Sequence, residues 1–281
     1  MAEIDLSSIA DLSDQDIAQL VVALADRSRR VQKVELSRRT VWIKRYGTEA
    51  GLIWRRLYLP FARLMPMAFR VAPVKTPDEM IRQEIRRMER FREKGIDVPD
   101  VLYQAGATLV LSDVGQSMEL HLYHLRPDPQ AFDDLLVFCA AELGRIHAAG
   151  LCHGRPYPRD MTLTHGRVGF LDFEEDPEAV MPLATAQARD LWILFFQLSR
   201  RAQRGDETLQ RALDVWKAQV PEAVWQELRQ IIGMAARFLP LARLIGRVRM
   251  GSDLRRFIVA TGYLEKAMGP DAKAPGEAGK K

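Results

Sequence analysis

The hydrophobic period changes once along this chain, and that change limits what the chain can fold into. Up to about residue 115 the apolar residues alternate in short runs broken by polar turns; from Gln130 onward they recur every three or four positions. Residues 31–36 and 40–46 flank Ser37-Arg38-Arg39 and predict two strands, the second (TVWIKRY) rich in β-branched and aromatic residues. Residues 101–105 and 108–112 predict two more strands. Two helices interrupt this region. One covers 13–26, where Ser13 and Asp16 have the spacing of a capping box. The other covers 77–94, with Met80, Ile81, Ile85, Met88 and Phe91 on one face and Gly95 as its stop.

Beyond Gln130 the expectation is mostly helix. Phe132, Leu136, Cys139, Leu143 and Ile146 share one face of a helix that stops at Gly150. A loop over 152–160 leads to a hairpin of 161–164 and 168–173 around His165-Gly166. Residues 190–198 (DLWILFFQL) are apolar nearly all round, which predicts a helix buried in a core, and further helices are expected at 207–219, 221–237 and 253–267. The reading is therefore an α+β fold in four parts. Residues 1–28 are a helical extension, 29–115 a small β-rich lobe with one main helix, 116–267 a larger helical lobe, and 268–281 a disordered tail rich in Lys, Gly, Pro and Ala. The lobes join near 115–120, and a cleft between two such lobes is a common place for a ligand.

Composition narrows the setting. The chain is 47% hydrophobic and 28% charged, ordinary values for a soluble globular protein. Cys139 and Cys152 lack metal-ligand spacing and suggest a reducing compartment. The acidic, polar start reads as no secretory signal, and no run of about 18 uncharged apolar residues predicts a spanning helix. A cytoplasmic location is expected. The net charge of +4 permits an anionic partner without specifying one.

A few polar residues along this pattern are candidates for chemistry. Lys44 lies on the strand Val41-Trp42-Ile43-Lys44, and Glu84 on the helix that follows. Asp172 comes directly after the apolar run 168–171, where a carboxylate is costly unless it meets a metal or a cation. A loop, His153-Gly154-Arg155-Pro156-Tyr157-Pro158-Arg159-Asp160, lies between, and Asp190 opens the apolar helix.

In that order these motifs, over roughly residues 30–200, resemble the protein-kinase superfamily. They look closest to its bacterial branch of lipopolysaccharide-core sugar kinases and RIO-type atypical kinases. The resemblance implies a two-lobed kinase-like fold and an ATP–Mg²⁺-dependent phosphotransferase. Phosphoryl transfer needs phosphates held in place and their charge neutralised more than it needs covalent help. By the same resemblance Lys44 would contact the α- and β-phosphates of the nucleotide, with Glu84 orienting it. Asp172 would bind Mg²⁺, and Asp160 would bind the second metal through oxygen. The backbone of Leu111, Ser112, Asp113 and Val114 would be the hinge that holds adenine, and His153 and Asp190 would be scaffolding for the loop. The acceptor implied is a sugar or lipid-linked sugar at the inner membrane.

Two departures stand out. No glycine-rich phosphate loop precedes Lys44, and Arg155 occupies the place of the catalytic Asp. Arginine stays protonated and cannot act as a base; losing a general base typically costs about 10²–10⁴ in rate. Arg155 therefore either grips a phosphate or marks a pseudokinase scaffold. AMP transfer is a third reading, since the selenoprotein O family also lacks that Asp. The run Glu174-Glu175-Asp176 offers a substitute carboxylate or is a solvated loop.

The stretch 47–76 reads as a basic, apolar insert. Within 51–75, Arg55, Arg56, Arg63, Arg70 and Lys75 alternate with Trp, Tyr, Phe and Leu, and no acid is present. That composition suits peripheral attachment to an anionic bilayer, or a hairpin packing on the β-rich lobe. A nucleic-acid partner is less favoured, although arginines beside aromatics can stack bases.

Overall fold

The computed structural model describes residues 12–47, 68, 70 and 75–269. The fold is α+β and mostly helical, with nine α-helices and two small antiparallel sheets among the described residues. It divides into two compact units. The first takes the described residues within Met1–Arg63, Pro73–Gly115 and Leu163–Glu174; the second takes those within Leu64–Ala72, Gln116–Thr162 and Glu175–Lys281.

In the first unit, β1 (Val31–Glu35), β2 (Thr40–Arg45), β3 (Val101–Ala105) and β4 (Thr108–Ser112) form an antiparallel sheet in the order β1-β2-β4-β3. The alternation of β2 places Val41 and Ile43 in a core with Leu20, Ala23, Val34 and Val110. Leu20 and Ala23 come from α1 (Asp14–Ala25), which covers the sheet. The capping box of α1 is present, and Asp16 also accepts from the Ser37 N–H (2.7 Å) and the Ser37 hydroxyl (2.5 Å). Those hydrogen bonds, with the Ser13 pair behind them, hold the Asp16 carboxyl far below the usual carboxylate range. They also fasten the β1–β2 turn to the helix start.

Helix α2 (Pro77–Glu93) starts with a second capping box, Thr76 with Glu79, and has Pro at its first position, where no N–H is needed. Ile81, Glu84, Met88 and Phe91 are all buried, spaced by three, four and three residues. Glu84 thus occupies a slot in the apolar stripe, which is why its burial demands a partner.

The short strand β5 (Gln116–Ser117) and helix α3 (Met118–Leu125) follow, then α4 (Pro129–Ala148). Strands β6 (Met161–Thr164) and β7 (Arg167–Phe170) make the expected hairpin. The expected strand over 168–173 is shorter than predicted. It ends at Phe170 because Asp172 takes a left-handed φ of 63°, which a strand cannot contain.

The remaining helices are α5 (Leu183–Arg201), α6 (Asp206–Lys217), α7 (Glu222–Ala236), α8 (Leu239–Val248) and α9 (Ser252–Met268). In the second unit α4 packs on α6, and α5 packs on α7 and α9. Helix α5 begins seven residues before Asp190, so that residue sits inside the helix rather than at its start. Helices α3 and α8 have no counterpart in the sequence reading. Pro240 looks like a breaker between 236 and 252, yet it lies in the first turn of α8, where proline is tolerated. The predicted insert at 47–76 falls mostly outside the described residues, as do 270–281 of the predicted tail and 1–11 of the extension.

Candidate functional site

The charged residues of the first unit converge on Lys44. It lies on β2 opposite Leu109 of β4 and is 7% exposed. Its ammonium donates to Glu84 Oε1 and Oε2 at 2.8 and 3.0 Å and to Asp172 Oδ1 at 2.9 Å. Glu174 Oε1 lies 3.0 Å away as a third carboxylate. Burial works against the Lys44 charge, but Glu84, Asp172 and Glu174 together outweigh it and hold its pKa above the ordinary value. Glu84 is 1% exposed, and burial raises its carboxyl above the usual range against the pull of Lys44. The Tyr46 hydroxyl also donates to Glu84 Oε2; burial first, and then the Glu84 charge, keep that phenol protonated.

Helix α2 positions more than Glu84. Gln83 Nε2 donates to the carbonyls of Phe173 (3.3 Å) and Glu174 (2.7 Å). The Phe173 ring is fully buried, meets Phe91 edge-on at 4.7 Å, and has the Arg87 guanidinium 5.6 Å above it. One helix therefore fixes the backbone of 173–174 while its neighbouring Glu84 holds Lys44. The Asp172 side chain stays 22% exposed within this frame.

Glu174 corrects one expectation. It does not sit in a solvated loop: its side chain is 13% exposed, and it pairs with both Lys44 and Arg30. Glu175 pairs with Arg189 at 3.3 Å, and Asp176 is at the edge of burial. Tyr46 was legible in principle, since it lies two residues after Lys44 in the run 40–46 that the sequence reads as extended, where alternate residues share a face. Glu174 was marked only as one of a run of three acids, and Gln83 and Arg30 carried no signal of their own.

The four residues read as a hinge lie at and after the end of β4. Leu111 is buried in the sheet opposite Trp42. The Ser112 N–H donates to Asp100 O at 2.9 Å. Asp113 Oδ1 accepts from Trp42 Nε1 at 2.7 Å, and Val114 O accepts from the Thr164 hydroxyl at 3.2 Å. Gly115 follows with a φ of 101°, and a Cβ there would strike the Thr164 hydroxyl at 1.6 Å, so only glycine fits. A cavity of about 510 Å³ in the same unit is lined by Arg27, Arg29, Arg30 and Arg45 with no acid. Lys44 is not part of its lining.

The remaining predicted residues belong to the second unit. Asp190 is fully buried; its Oδ2 accepts from the His153 N–H at 2.5 Å and its Oδ1 from the Gly154 N–H at 2.8 Å. His147 Nε2 lies 3.4 Å from Asp190 Oδ2, while His147 Nδ1 accepts from Trp216 Nε1 at 3.0 Å. That second bond leaves the ring proton on Nε2, facing Asp190. Burial lowers the His147 pKa, so the ring is neutral. The His153 ring is buried, and its Nδ1 accepts from the Arg155 N–H at 3.4 Å. The Arg155 guanidinium lies 5.7 Å from the Tyr157 ring centre, and Asp160, which closes a 3₁₀ turn, has Arg159 Nε at 3.4 Å.

Among the described residues, no group of three or more His, Cys, Asp or Glu side chains is arranged to hold a metal ion. The carboxylates around Lys44 each spend an oxygen on its ammonium. Magnesium does not need such a cage: it is usually held by one or two carboxylates with water and substrate phosphates completing the shell. The partly exposed Asp172 fits that habit.

No family model matches the chain. An uncharacterized protein of Haemophilus influenzae is 27% identical over 152 residues, a region covering 54% of this chain and 62% of that protein. Among the described residues no helix is long and apolar enough to cross a membrane.

Proposed function

We propose that this chain is an ATP–Mg²⁺-dependent phosphotransferase with a two-lobed, protein-kinase-like arrangement, similar to the lipopolysaccharide-core sugar kinases. Its acceptor is a sugar or lipid-linked sugar, and it works near the inner membrane. The observation that carries this reading is the Lys44 constellation: a buried lysine on a central strand, ion-paired with a buried helix glutamate and a carboxylate directly after a hairpin. A buried, permanently charged lysine suits phosphate, because it meets the anion already desolvated and held in place.

In this reading the resting site stores its own counter-ions. Lys44 keeps Glu84 as its fixed partner, and phosphate oxygens replace Asp172 and Glu174 on the ammonium. The released Asp172 oxygens then face the nucleotide. Asp172 would hold Mg²⁺, which would supply neutralisation of charge on the transferring phosphoryl group. Asp190 acts through the backbone of 153–154, setting the loop that carries Arg155 and Asp160. The β1–β2 turn, fastened by Asp16, is not a glycine flap, so the grip on phosphate rests on side chains.

A second reading has one observation in its favour. Arg155 cannot take a proton from an acceptor hydroxyl, which suits a nucleotide-binding pseudokinase scaffold or a transferase of AMP. The test of the leading reading is calorimetry of ATP binding with and without Mg²⁺, on the full chain and on Asp172→Ala. Magnesium-dependent binding that the variant loses is the expected result. No binding by the wild type would leave a scaffold without a nucleotide site.

A further inference from the structure

Helix α8 carries its apolar stripe on the outside. Leu241, Leu244, Ile245 and Val248 follow the i, i+3, i+4, i+7 spacing that normally faces a core. Yet they are exposed, by 55%, 57%, 49% and 89%. Phe238 before the helix and Met250 after it extend the stripe, and both are exposed. The buried side of the helix is its other face, Leu239 and Ala242. At about 100° per residue those two positions lie on the side opposite the stripe's centre. A soluble protein gains nothing by ordering such a helix with its apolar face in water, so the stripe marks a contact surface.

The charge around the stripe says what kind of surface covers it. Arg237, Arg243, Arg247 and Arg249 are exposed along the same segment. No acid occurs between Glu227 and Asp253. A second copy of the chain docked helix to helix would bring these arginines against one another with no acid on α8 itself to meet them. Nucleic acid would find one aromatic side chain and an aliphatic ridge, a poor stacking surface. An anionic bilayer meets both features at once: acyl chains take the aliphatic ridge, and lipid phosphates take the guanidinium groups.

We infer that α8 is an interfacial helix that seats the protein on an anionic membrane surface, with Leu241, Leu244, Ile245 and Val248 in the acyl boundary and the flanking arginines among the headgroups. This inference rests on α8 alone and holds whether or not the Lys44 site binds nucleotide. It is also separate from residues 51–75.

The test is co-sedimentation of the full chain with vesicles of phosphatidylglycerol and phosphatidylethanolamine, compared with phosphatidylcholine vesicles. The wild type is expected to pellet with the anionic vesicles and to be released by salt. Leu244→Glu with Val248→Glu should lower the bound-to-free ratio by roughly tenfold or more. Arg243→Gln with Arg247→Gln should lower it by about 25-fold, since each cation near the surface is worth about a factor of five. These arginines are exposed, so that pair decides the question should the glutamate pair lose its native melting transition. A wild type that stays in the supernatant overturns the inference. So does pelleting that neither pair diminishes, which would place the membrane contact elsewhere. A wild-type dimer that Leu244→Glu with Val248→Glu splits would assign the stripe to a second copy and overturn it as well.

Discussion

Glu84 and Asp190 are both buried carboxylates on helices, and the two units satisfy them by opposite means. Glu84 is met by side chains, an ammonium and a phenol, and its ammonium is shared with two further carboxylates. Asp190 is met by two backbone N–H groups and a neutral imidazole. The first arrangement can exchange partners, because side chains swing and three carboxylates compete for one cation. The second cannot, because its donors are fixed in the chain. A cluster that must release groups to a ligand is built the first way, and a loop that must not move is built the second way.

Removing Asp190 should therefore have the largest effect. Asp190→Ala orphans the N–H groups of His153 and Gly154 and the His147 proton in a dry core. A loss of roughly 3–5 kcal/mol is expected, read as a lower urea midpoint. Glu84→Gln should cost less, about 1–2 kcal/mol, because Asp172 and Glu174 remain within 3.0 Å of the ammonium to balance it. It should nonetheless weaken ATP binding by misplacing Lys44. Equal losses in the two variants would erase the distinction between an adjustable cluster and a fixed one.

The smallest effect concerns pH. His147 is neutral in the fold with a pKa below its ordinary 6.5, so the unfolded chain binds the proton first as pH falls. The stability it supports is complete above that value and drains away as pH falls below it, until the folded ring also titrates. As pH falls from 7 toward about 5.5 the wild type should lose stability that His147→Gln keeps, measured by thermal melts across that window. Parallel profiles would mean that Asp190 accepts an imidazolium, making the second unit's buried cluster ionic like the first.

Much of this was legible in the linear pattern. The alternation around Val41 and Ile43, the stripe Ile81, Met88 and Phe91, and the box at Ser13 fix their elements locally, since each depends on residues a few positions apart. Asp172 stood out because it follows an apolar run, whereas Lys44 and Glu84 stood out by their place in the order of motifs. What the pattern hid lies at long separation. Lys44 and Asp172 are 128 positions apart, and Trp216 reaches His147 across 69.

The amino-acid sequence by itself determined which residues share a face and which polar groups would need a partner once that face was buried. Only the tertiary structure decided who the partner is: Glu174 and Tyr46 at Lys44, the 153–154 backbone and His147 at Asp190. It alone decided, too, that the apolar stripe of α8 looks outward. Periodicity states that a helix has an apolar side, but whether anything covers that side depends on what packs there.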